Sequence, residues 1–244
     1  MEDLLSLLPA HERRRLQAAE GDSQELARRR LEGEPLQYLE GTAAFTDFDV
    51  IVDPRVLIPR PETEGLFELA VRVAGDPRTI VDIGCGSGVL AIALARRFPR
   101  AEVHGVDISE EAISLARANA ARLGVTVDLH VGDLFDPLAP RLRGAIDLLV
   151  SNPPYVSESE WADLPADVRR EPQLALVAGP RGTEVLERIA AGAGGWMAPA
   201  GVVVCEMGET QSGEVGEAFA ALGDAEIHLD LSGRRRYVSV RATP

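Results

Sequence analysis

The sequence contains no lysine, so all 25 of its basic side chains are arginines, set against 39 aspartates and glutamates. The resulting formal net charge of -14 disfavours non-specific binding to nucleic acid or to an anionic membrane, because both depend on basic patches. Only two cysteines occur, Cys85 and Cys205, and both lie in apolar stretches. We therefore expect no disulfide, a reducing compartment and a cytoplasmic location.

Long hydrophobic runs are missing as well. No stretch approaches the roughly 18 consecutive apolar residues of a membrane-spanning helix, and we recognise no signal peptide. Hydrophobic residues still make up 45% of the chain and charged residues 26%, which argues against wholesale disorder. At 244 residues the chain can form one large domain, or one domain of usual size with a small accessory piece.

The chain divides into three regions with different patterns. Residues 1–34 are rich in charge and predict a small helical arm. Residues 35–61 contain short β-branched and aromatic runs, which predict a β-hairpin or an extended linker. Residues 62–244 alternate between strand and helix patterns. In this third region we expect strands over 79–84, 102–107, 127–133, 145–152 and 201–208, and helices over 88–98, 109–123 and near 183–194.

Strands rich in Val, Ile and Leu that alternate with helices predict a mostly parallel sheet covered by helices on both faces. The last two strands, over 225–231 and 235–242, break this rhythm. The segment between them, Ser-Gly-Arg, is too short for a crossover, so we expect a terminal antiparallel hairpin. The predicted fold class is therefore α/β, with a mostly parallel sheet that ends in a hairpin.

A glycine-rich turn joins the first predicted strand of this region to its first helix, in the stretch VDIGCGSG. Gly84, Gly86 and Gly88 allow a tight turn and the close approach of a ligand, and Cys85 and Ser87 lie between them. The N–H groups at the start of the helix can bind a carboxylate or a phosphate. These five residues are candidates for cofactor binding, although a tight turn without a ligand would show the same pattern.

Acidic residues end the next two strands. Asp107 comes at a carboxyl end, where it can accept hydrogen bonds from ribose hydroxyls; the alternative is a cap of the helix that starts near Ser109. Asp133 ends the following strand, where it could accept from an exocyclic amine while Leu134 packs on a purine. Three successive strands thus bring these groups to one crevice, which favours a cofactor that contains adenosine.

NAD and S-adenosylmethionine both contain adenosine. The loop DIGCGSG lacks the third glycine of the dinucleotide fingerprint G-x-G-x-x-G, since Gly86 is followed by Gly88 and Val89. A terminal antiparallel hairpin is also unlike a doubly wound dehydrogenase. Both points favour S-adenosylmethionine, which would leave S-adenosylhomocysteine as the product.

The stretch SNPPY follows the fourth strand and reaches the same edge of the sheet. Pro153 and Pro154 form a rigid corner without backbone donors. The Asn152 side-chain oxygen and the Pro153 carbonyl are suited to accept both hydrogens of a substrate NH2, and Tyr155 can stack on its conjugated plane. This arrangement would orient a poor nitrogen nucleophile toward a methyl donor. A proline-rich turn with a half-buried tyrosine is the structural alternative.

Three further stretches accompany NPPY along the chain: GEPLQYLEG and VLIPRPETE precede it, and EPQLAL follows it. Together they resemble the PrmC/HemK family, the release factor glutamine N5-methyltransferases, from about Gly33 to Ala242. The resemblance implies a class I S-adenosylmethionine-dependent methyltransferase fold, Rossmann-like, with a seven-stranded sheet and a small N-terminal helical domain. It also implies methylation of the glutamine in the Gly-Gly-Gln motif of bacterial class I peptide-chain release factors.

The resemblance further assigns roles by position. The loop from Gly84 to Gly88 would hold the methionine part of the cofactor, Asp107 the ribose, and Asp133 with Leu134 the adenine. The NPPY residues, from Asn152 to Tyr155, would grip the glutamine, and Asn152 would also border the cofactor.

The segments ahead of the glycine-rich turn receive roles from the same resemblance. The arm over 1–34 would dock the substrate, and Arg60, Glu62 and Thr63 would belong to a segment that closes over the site. A plain link stabilised by an Arg60–Glu62 ion pair is the alternative for those side chains. We expect a monomer that needs no metal and binds neither nucleic acid nor membrane directly.

Two other functions are compatible with parts of the pattern. A DNA adenine or ribosomal RNA guanine N-methyltransferase would suit the same NPPY corner, because its acceptor is also a planar amine. The negative charge and the short arm argue against it, since such enzymes need a basic recognition surface. A non-catalytic binding module would not be expected to keep the glycine-rich loop, both acids and NPPY unaltered.

Overall fold

The computed structural model describes residues 3–243. Met1, Glu2 and Pro244, which the predicted arm and third region include, lie outside the described residues. The N-terminal part is helical, as predicted, and consists of a 3₁₀ turn and three short helices: Leu4–Leu7, α1 (Ala10–Ala18), α2 (Ser23–Leu31) and α3 (Leu36–Glu40). Helix α3 was not predicted, because it lies in the region 35–61, whose pattern indicated a β-hairpin or an extended linker. Leu5, Leu16, Leu26 and Leu39 are buried in a small cluster of their own between these elements, which holds the arm together.

A β-hairpin follows the arm, as the linker pattern predicts, and is formed by β1 (Thr42–Phe45) and β2 (Phe48–Ile51). Phe45 is fully buried, and its ring packs against Phe67, while Asn119 exchanges hydrogen bonds with the main chain of Ile51. The hairpin therefore packs against the helices that cover one face of the main sheet. Helix α4 (Pro61–Ala74) comes next and was not predicted, because its prolines suggested a linker. Proline at the first helical position is compatible with a helix, since its missing N–H needs no partner there.

The central sheet has seven strands: β3 (Thr79–Ile83), β4 (Glu102–Asp107), β5 (Asp128–Val131), β6 (Ile146–Ser151), β9 (Met197–Glu206), β10 (Ala225–Leu229) and β11 (Arg235–Arg241). A separate small pair is formed by β7 (Val156–Ser157) and β8 (Val177–Gly179). The order in the central sheet is β10-β11-β9-β6-β3-β4-β5. All neighbouring pairs from β9 to β5 are parallel, and β11 runs antiparallel to both β9 and β10. The predicted sheet and its terminal hairpin are thus confirmed.

Helices cover both faces of the sheet, so strand residues alternate between two cores. Besides α4, the helices are α5 (Val89–Arg97), α6 (Glu110–Leu123), α7 (Glu184–Ala193) and α8 (Ser212–Phe219). The residues of β6 show the alternation: Leu148 and Val150 pack with α4 and α5, whereas Leu149 packs with α7 and α8. Helix α8 was not predicted, because its two glycines weaken the helical pattern. Within residues 3–243, no helix combines the length and apolar character that crossing a membrane requires.

Candidate active site

A cavity of about 320 Å³ lies at the carboxyl edge of the parallel strands. Such edges are where open α/β sheets bind ligands. Most of the residues predicted to bind the cofactor or the substrate line it, and these are Gly84, Cys85, Gly86, Ser87, Asp107, Asp133, Leu134, Asn152, Pro153 and Pro154. Gly88 and Tyr155 are not among the lining residues. Thr63 lines the cavity, whereas Arg60 and Glu62 do not.

The glycine-rich loop is held by main-chain contacts. The N–H groups of Gly84 and Cys85 both donate to the Val106 carbonyl, at 2.8 and 2.9 Å. Gly84 and Gly86 have φ values of 72° and 52°, in the left-handed region that a side chain disfavours. The loop therefore follows a path that needs glycine, and it presents its backbone to the cavity.

A buried acid lies at the base of this loop. Asp82 is 1% exposed, and one of its oxygens accepts from the Ala91 N–H in the first turn of α5. Its Oδ1 has no hydrogen-bond partner among residues 3–243. Burial raises the pKa of Asp82 to about 7, although the hydrogen bond from Ala91 lowers it. Asp82 was not predicted as a site residue, and it ties the loop to the helix rather than facing the cavity.

Asp107 anchors the loop from the neighbouring strand. Its carboxylate accepts from the Gly86 N–H at 2.8 Å and from the Ser109 N–H at 2.9 Å. Burial raises the pKa of Asp107, and these backbone donors lower it. The cap of α6 is Ser109, whose side chain accepts from the Ala112 N–H, so the capping alternative for Asp107 is wrong. Each carboxylate oxygen can accept a second hydrogen bond, which leaves capacity for a hydroxyl.

Asp133 and Leu134 reach the cavity through a turn after β5. Leu134 has a φ of 49°, an unusual conformation for a branched side chain and one often found at binding sites. The Asp133 carboxylate pairs with Arg188 of α7, and both residues line the cavity. Arg188 was missed in the sequence, because nothing in its local pattern distinguishes it from a solvated helix residue.

The SNPPY corner begins where β6 ends. The Asn152 side-chain N–H donates to Thr63 Oγ1 at 3.0 Å. Within the described chain this leaves the Asn152 Oδ1 without a donor, available to accept from a ligand. Thr63 is 3% exposed and lies in the first turn of α4, so its hydroxyl is held firmly. The pairing gives Thr63 a specific contact with the predicted substrate-binding asparagine.

Tyr155 is half-buried, and it is held by Glu206, the last residue of β9, and by Gln211, which follows that strand. Its hydroxyl donates to Glu206 Oε1 at 3.0 Å. Its carbonyl accepts from Gln211 Nε2 at 2.8 Å, while Gln211 Oε1 accepts from the Gly208 N–H at the same distance. Burial raises the pKa of the Tyr155 hydroxyl, which keeps it protonated as a donor. Glu206 and Gln211 were both missed, although the polar residues of EMGETQ follow a buried strand.

The residues around the start of α4 form ion pairs other than the one considered from the sequence. Arg60 pairs with Glu171, which also accepts from the Ile58 N–H at 2.9 Å. Glu62 pairs with Arg234 at 3.0 Å. The predicted alternative of an Arg60–Glu62 ion pair is therefore wrong. Because Glu171 belongs to the EPQLAL stretch, its contacts join two of the stretches on which the family resemblance depends.

The fold and the cavity define a class I S-adenosylmethionine-dependent methyltransferase. Residues 66–167 match the family model described as the methyltransferase small domain. Solved structures agree at the level of fold. A methyltransferase from Pyrococcus furiosus superposes with a TM-score of 0.62 at 19% identity, covering 82% of this chain and 92% of its own. A T. Thermophilus 16S rRNA N2 G1207 methyltransferase, in complex with AdoMet and guanosine, has a TM-score of 0.59 at 18% identity and covers 82% and 49%.

Sequence comparison is more specific. A release factor glutamine methyltransferase from Moorella thermoacetica is 42% identical over 228 residues, which cover 90% of this chain and 79% of that protein. Further relatives with the same name range from 38% to 44% identity. The chain belongs to the family of release factor glutamine methyltransferases.

Proposed function

We propose that this chain transfers a methyl group from S-adenosylmethionine to the side-chain amide nitrogen of a glutamine, the one in the Gly-Gly-Gln motif of bacterial class I release factors. The observation that carries this proposal is the Asn152–Thr63 hydrogen bond. It orients the asparagine so that its oxygen, not its nitrogen, is available in the cavity. An oxygen at that position matches a substrate that offers N–H groups.

The cavity is suited to the cofactor in the chemistry of its lining. The left-handed glycines bring backbone close to a ligand, and the Asp107 carboxylate has acceptor capacity for hydroxyls. In the proposal the loop from Gly84 to Gly88 holds the amino acid part, Asp107 the ribose, and Asp133 with Leu134 the adenine. When bound, S-adenosylmethionine supplies an electrophilic methyl group.

The chain's own residues act by positioning. An amide nitrogen is a poor nucleophile, because its lone pair is delocalised into the carbonyl group. Asn152 Oδ1 and the Pro153 carbonyl would accept its two N–H groups, and the Tyr155 ring would press against the amide plane. Fixing the nitrogen in this way lowers the entropic part of the barrier and requires no base before methyl transfer. The nitrogen would gain the methyl carbon as the S–CH3 bond breaks and would then lose one N–H proton to solvent, which leaves a neutral N-methyl amide and S-adenosylhomocysteine.

The remaining parts of the proposal concern partners and location. We propose a cytoplasmic monomer whose N-terminal arm docks the release factor and whose segment at Arg60, Glu62 and Thr63 closes over the site. Nucleic acid is not a substrate in this proposal, because the net charge of -14 opposes phosphate binding. The names of the curated relatives give the nucleic-acid amine enzymes no support either.

Mass spectrometry tests the substrate directly. A purified, unmethylated release factor is incubated with the chain and S-adenosylmethionine, and any added methyl is mapped to a residue. We expect a single methyl on the glutamine of Gly-Gly-Gln, and none when that glutamine is replaced. No methylation despite measurable cofactor binding would contradict the proposal and direct attention to nucleic-acid amines.

A further inference from the structure

Glu206 is a buried acid that stands outside the cavity but contacts the corner that grips the substrate. It is 1% exposed at the end of β9, and it is not among the cavity-lining residues. One oxygen accepts from the Tyr155 hydroxyl, while the other has no hydrogen-bond partner within residues 3–243. A buried carboxylate is costly to keep, which makes a generic packing role a poor explanation for it.

Three residues contact different parts of Tyr155: its ring, its hydroxyl and its main chain. The Arg236 guanidinium lies 5.9 Å from the ring centroid and donates to the Met207 carbonyl at 3.2 Å. The Gln211 side-chain N–H donates to the main-chain carbonyl of Tyr155. Glu206 contacts the opposite end of the residue, the hydroxyl at the tip of the ring. The short segment from Glu206 to Gln211 therefore holds both ends of the tyrosine.

We propose that Glu206 is a positioning residue for methyl transfer, which fixes the plane of the Tyr155 ring through the hydrogen bond from its hydroxyl. The inference rests on the proposed function, in which that ring presses on the glutamine amide. Prolines fix the backbone of the corner, but they leave the tyrosine free to rotate about its side-chain bonds. A contact at the tip of the ring removes that freedom, and misplacement of about 1 Å can cost roughly 100-fold in rate.

The proposal predicts how three single variants and one double variant compare. Glu206→Gln keeps an acceptor oxygen, so kcat should stay within about 3-fold of the wild type. Glu206→Leu fills the space without an acceptor, and kcat should fall by about 10- to 100-fold with the cofactor Kd unchanged. Tyr155→Phe removes the donor and should show a similar loss. The double variant Glu206→Leu/Tyr155→Phe should be no slower than either single variant, because both remove the same contact.

A matched control separates positioning from loss of stability. Cys205 precedes Glu206 on β9, points to the other face of the sheet and is fully buried in the core that packs on α7 and α8. Cys205→Ala should lower the Tm without lowering kcat. If Glu206→Leu and Cys205→Ala reduce kcat in the same proportion to their loss of Tm, Glu206 is only a structural residue and the proposal is wrong.

NMR of tyrosine-labelled protein reads the contact without any turnover. The chain has three tyrosines, so the Tyr155 ring signal can be assigned by substitution. Its shift should change in Glu206→Leu and persist in Glu206→Gln and Cys205→Ala. An unchanged Tyr155 signal in Glu206→Leu would overturn the proposal.

The two proposals fail in different ways. A wild-type chain that does not methylate the release factor refutes the proposed function, and with it the role of the ring. A wild-type chain that does methylate it, alongside a Glu206→Leu variant with unchanged kcat, refutes only the role of Glu206.

Discussion

The proposed cofactor-binding half of the site (the cofactor half) and the proposed substrate-binding half (the substrate half) are held in place by different kinds of contact. The glycine-rich loop is fixed by backbone donors and by left-handed glycines, with Asp107 as its main side-chain anchor. The SNPPY corner is fixed by side chains from remote segments, namely Thr63, Glu206 and Gln211. The cofactor half thus depends on backbone conformation, whereas the substrate half depends on particular functional groups.

This difference predicts that substitutions will separate binding from turnover. The largest effect should come from Asn152→Ala, which removes the proposed acceptor for the glutamine amide. We expect kcat to fall by about 100- to 1,000-fold while the cofactor Kd changes little. Asn152→Asp keeps an oxygen at the same place and should retain more activity. Full activity in Asn152→Ala, measured by transfer of labelled methyl to a release factor, would contradict the assigned role.

Each half also rests on a buried acid, and the acid of the substrate half can be tested by pH. Burial raises the pKa of Glu206 from 4.5 to about 7, with a further rise from Glu62, while the Tyr155 hydrogen bond and Arg236 oppose it. Between these two values the folded state binds more protons than the unfolded state. The contribution of Glu206 to stability is therefore complete below about pH 4.5 and lost as the pH rises through about 7.

Glu206→Gln should remove this dependence, because the amide does not titrate. Between about pH 5 and pH 8 the unfolding free energy of the variant should gain up to about 3 kcal/mol relative to the wild type. Urea unfolding at both pH values measures this change. Glu209→Gln, which removes an exposed carboxylate from the same segment, controls for the loss of charge. If the unfolding free energies of the wild type and Glu206→Gln differ by the same amount at both pH values, Glu206 keeps an ordinary pKa.

The cofactor half should respond to backbone strain. Gly86 has a φ of 52°, and a side chain there would meet no atom within 4 Å, so Gly86→Ala isolates the conformational cost. We expect the cofactor Kd to rise by about 5- to 30-fold, from a strain of about 1–2 kcal/mol. Gly144, with a φ of 67° and equal space, lies before β6 and away from the cavity. Gly144→Ala should lose similar stability in thermal unfolding but leave the Kd, measured by calorimetry, unchanged.

The smallest expected effect concerns the orientation of Asn152. Thr63→Val removes the hydroxyl that accepts from the asparagine but keeps the shape of the side chain. We expect kcat to fall by about 5- to 10-fold, because one hydrogen bond contributes about 1 kcal/mol. Thr63→Ser keeps a hydroxyl and should retain the wild-type kcat. Thr183→Val removes another fully buried hydroxyl, which donates to Glu187. This control should lower stability in unfolding assays but leave kcat unchanged in steady-state assays. Equal kcat losses in the two valine variants would make the Thr63 contact merely structural.

The same contrast explains what could be predicted from the sequence. The sheet, its terminal hairpin and the glycine-rich loop follow local patterns, and the loop is linked to Asp107 over only 21 residues. Side-chain partners in the substrate half are more distant along the chain: Thr63 and Asn152 are separated by 89 residues, and Tyr155 and Glu206 by 51. A single sequence carries no periodicity that pairs such residues. Arg60 was assigned the wrong partner for this reason, since Glu171 lies 111 residues away.

Helices α4 and α8 show a second limit. The prolines that precede and begin α4 suggested a linker, although the first helical position accepts proline, and two glycines lower the helical propensity of α8. Packing stabilises both helices, because Leu66 and Leu69 of α4 and Phe219 of α8 are buried against the sheet. The missed α4 matters for function, since it positions Thr63 beside Asn152.

A crystal structure of the chain with S-adenosylhomocysteine and an unmethylated release factor would test the central claim most directly. The proposal predicts that the glutamine amide nitrogen lies within hydrogen-bond distance of Asn152 Oδ1 and of the Pro153 carbonyl, with the Tyr155 ring against the amide plane. A glutamine bound elsewhere, or an Asn152 that has left Thr63 and turns its nitrogen toward the substrate, would contradict it.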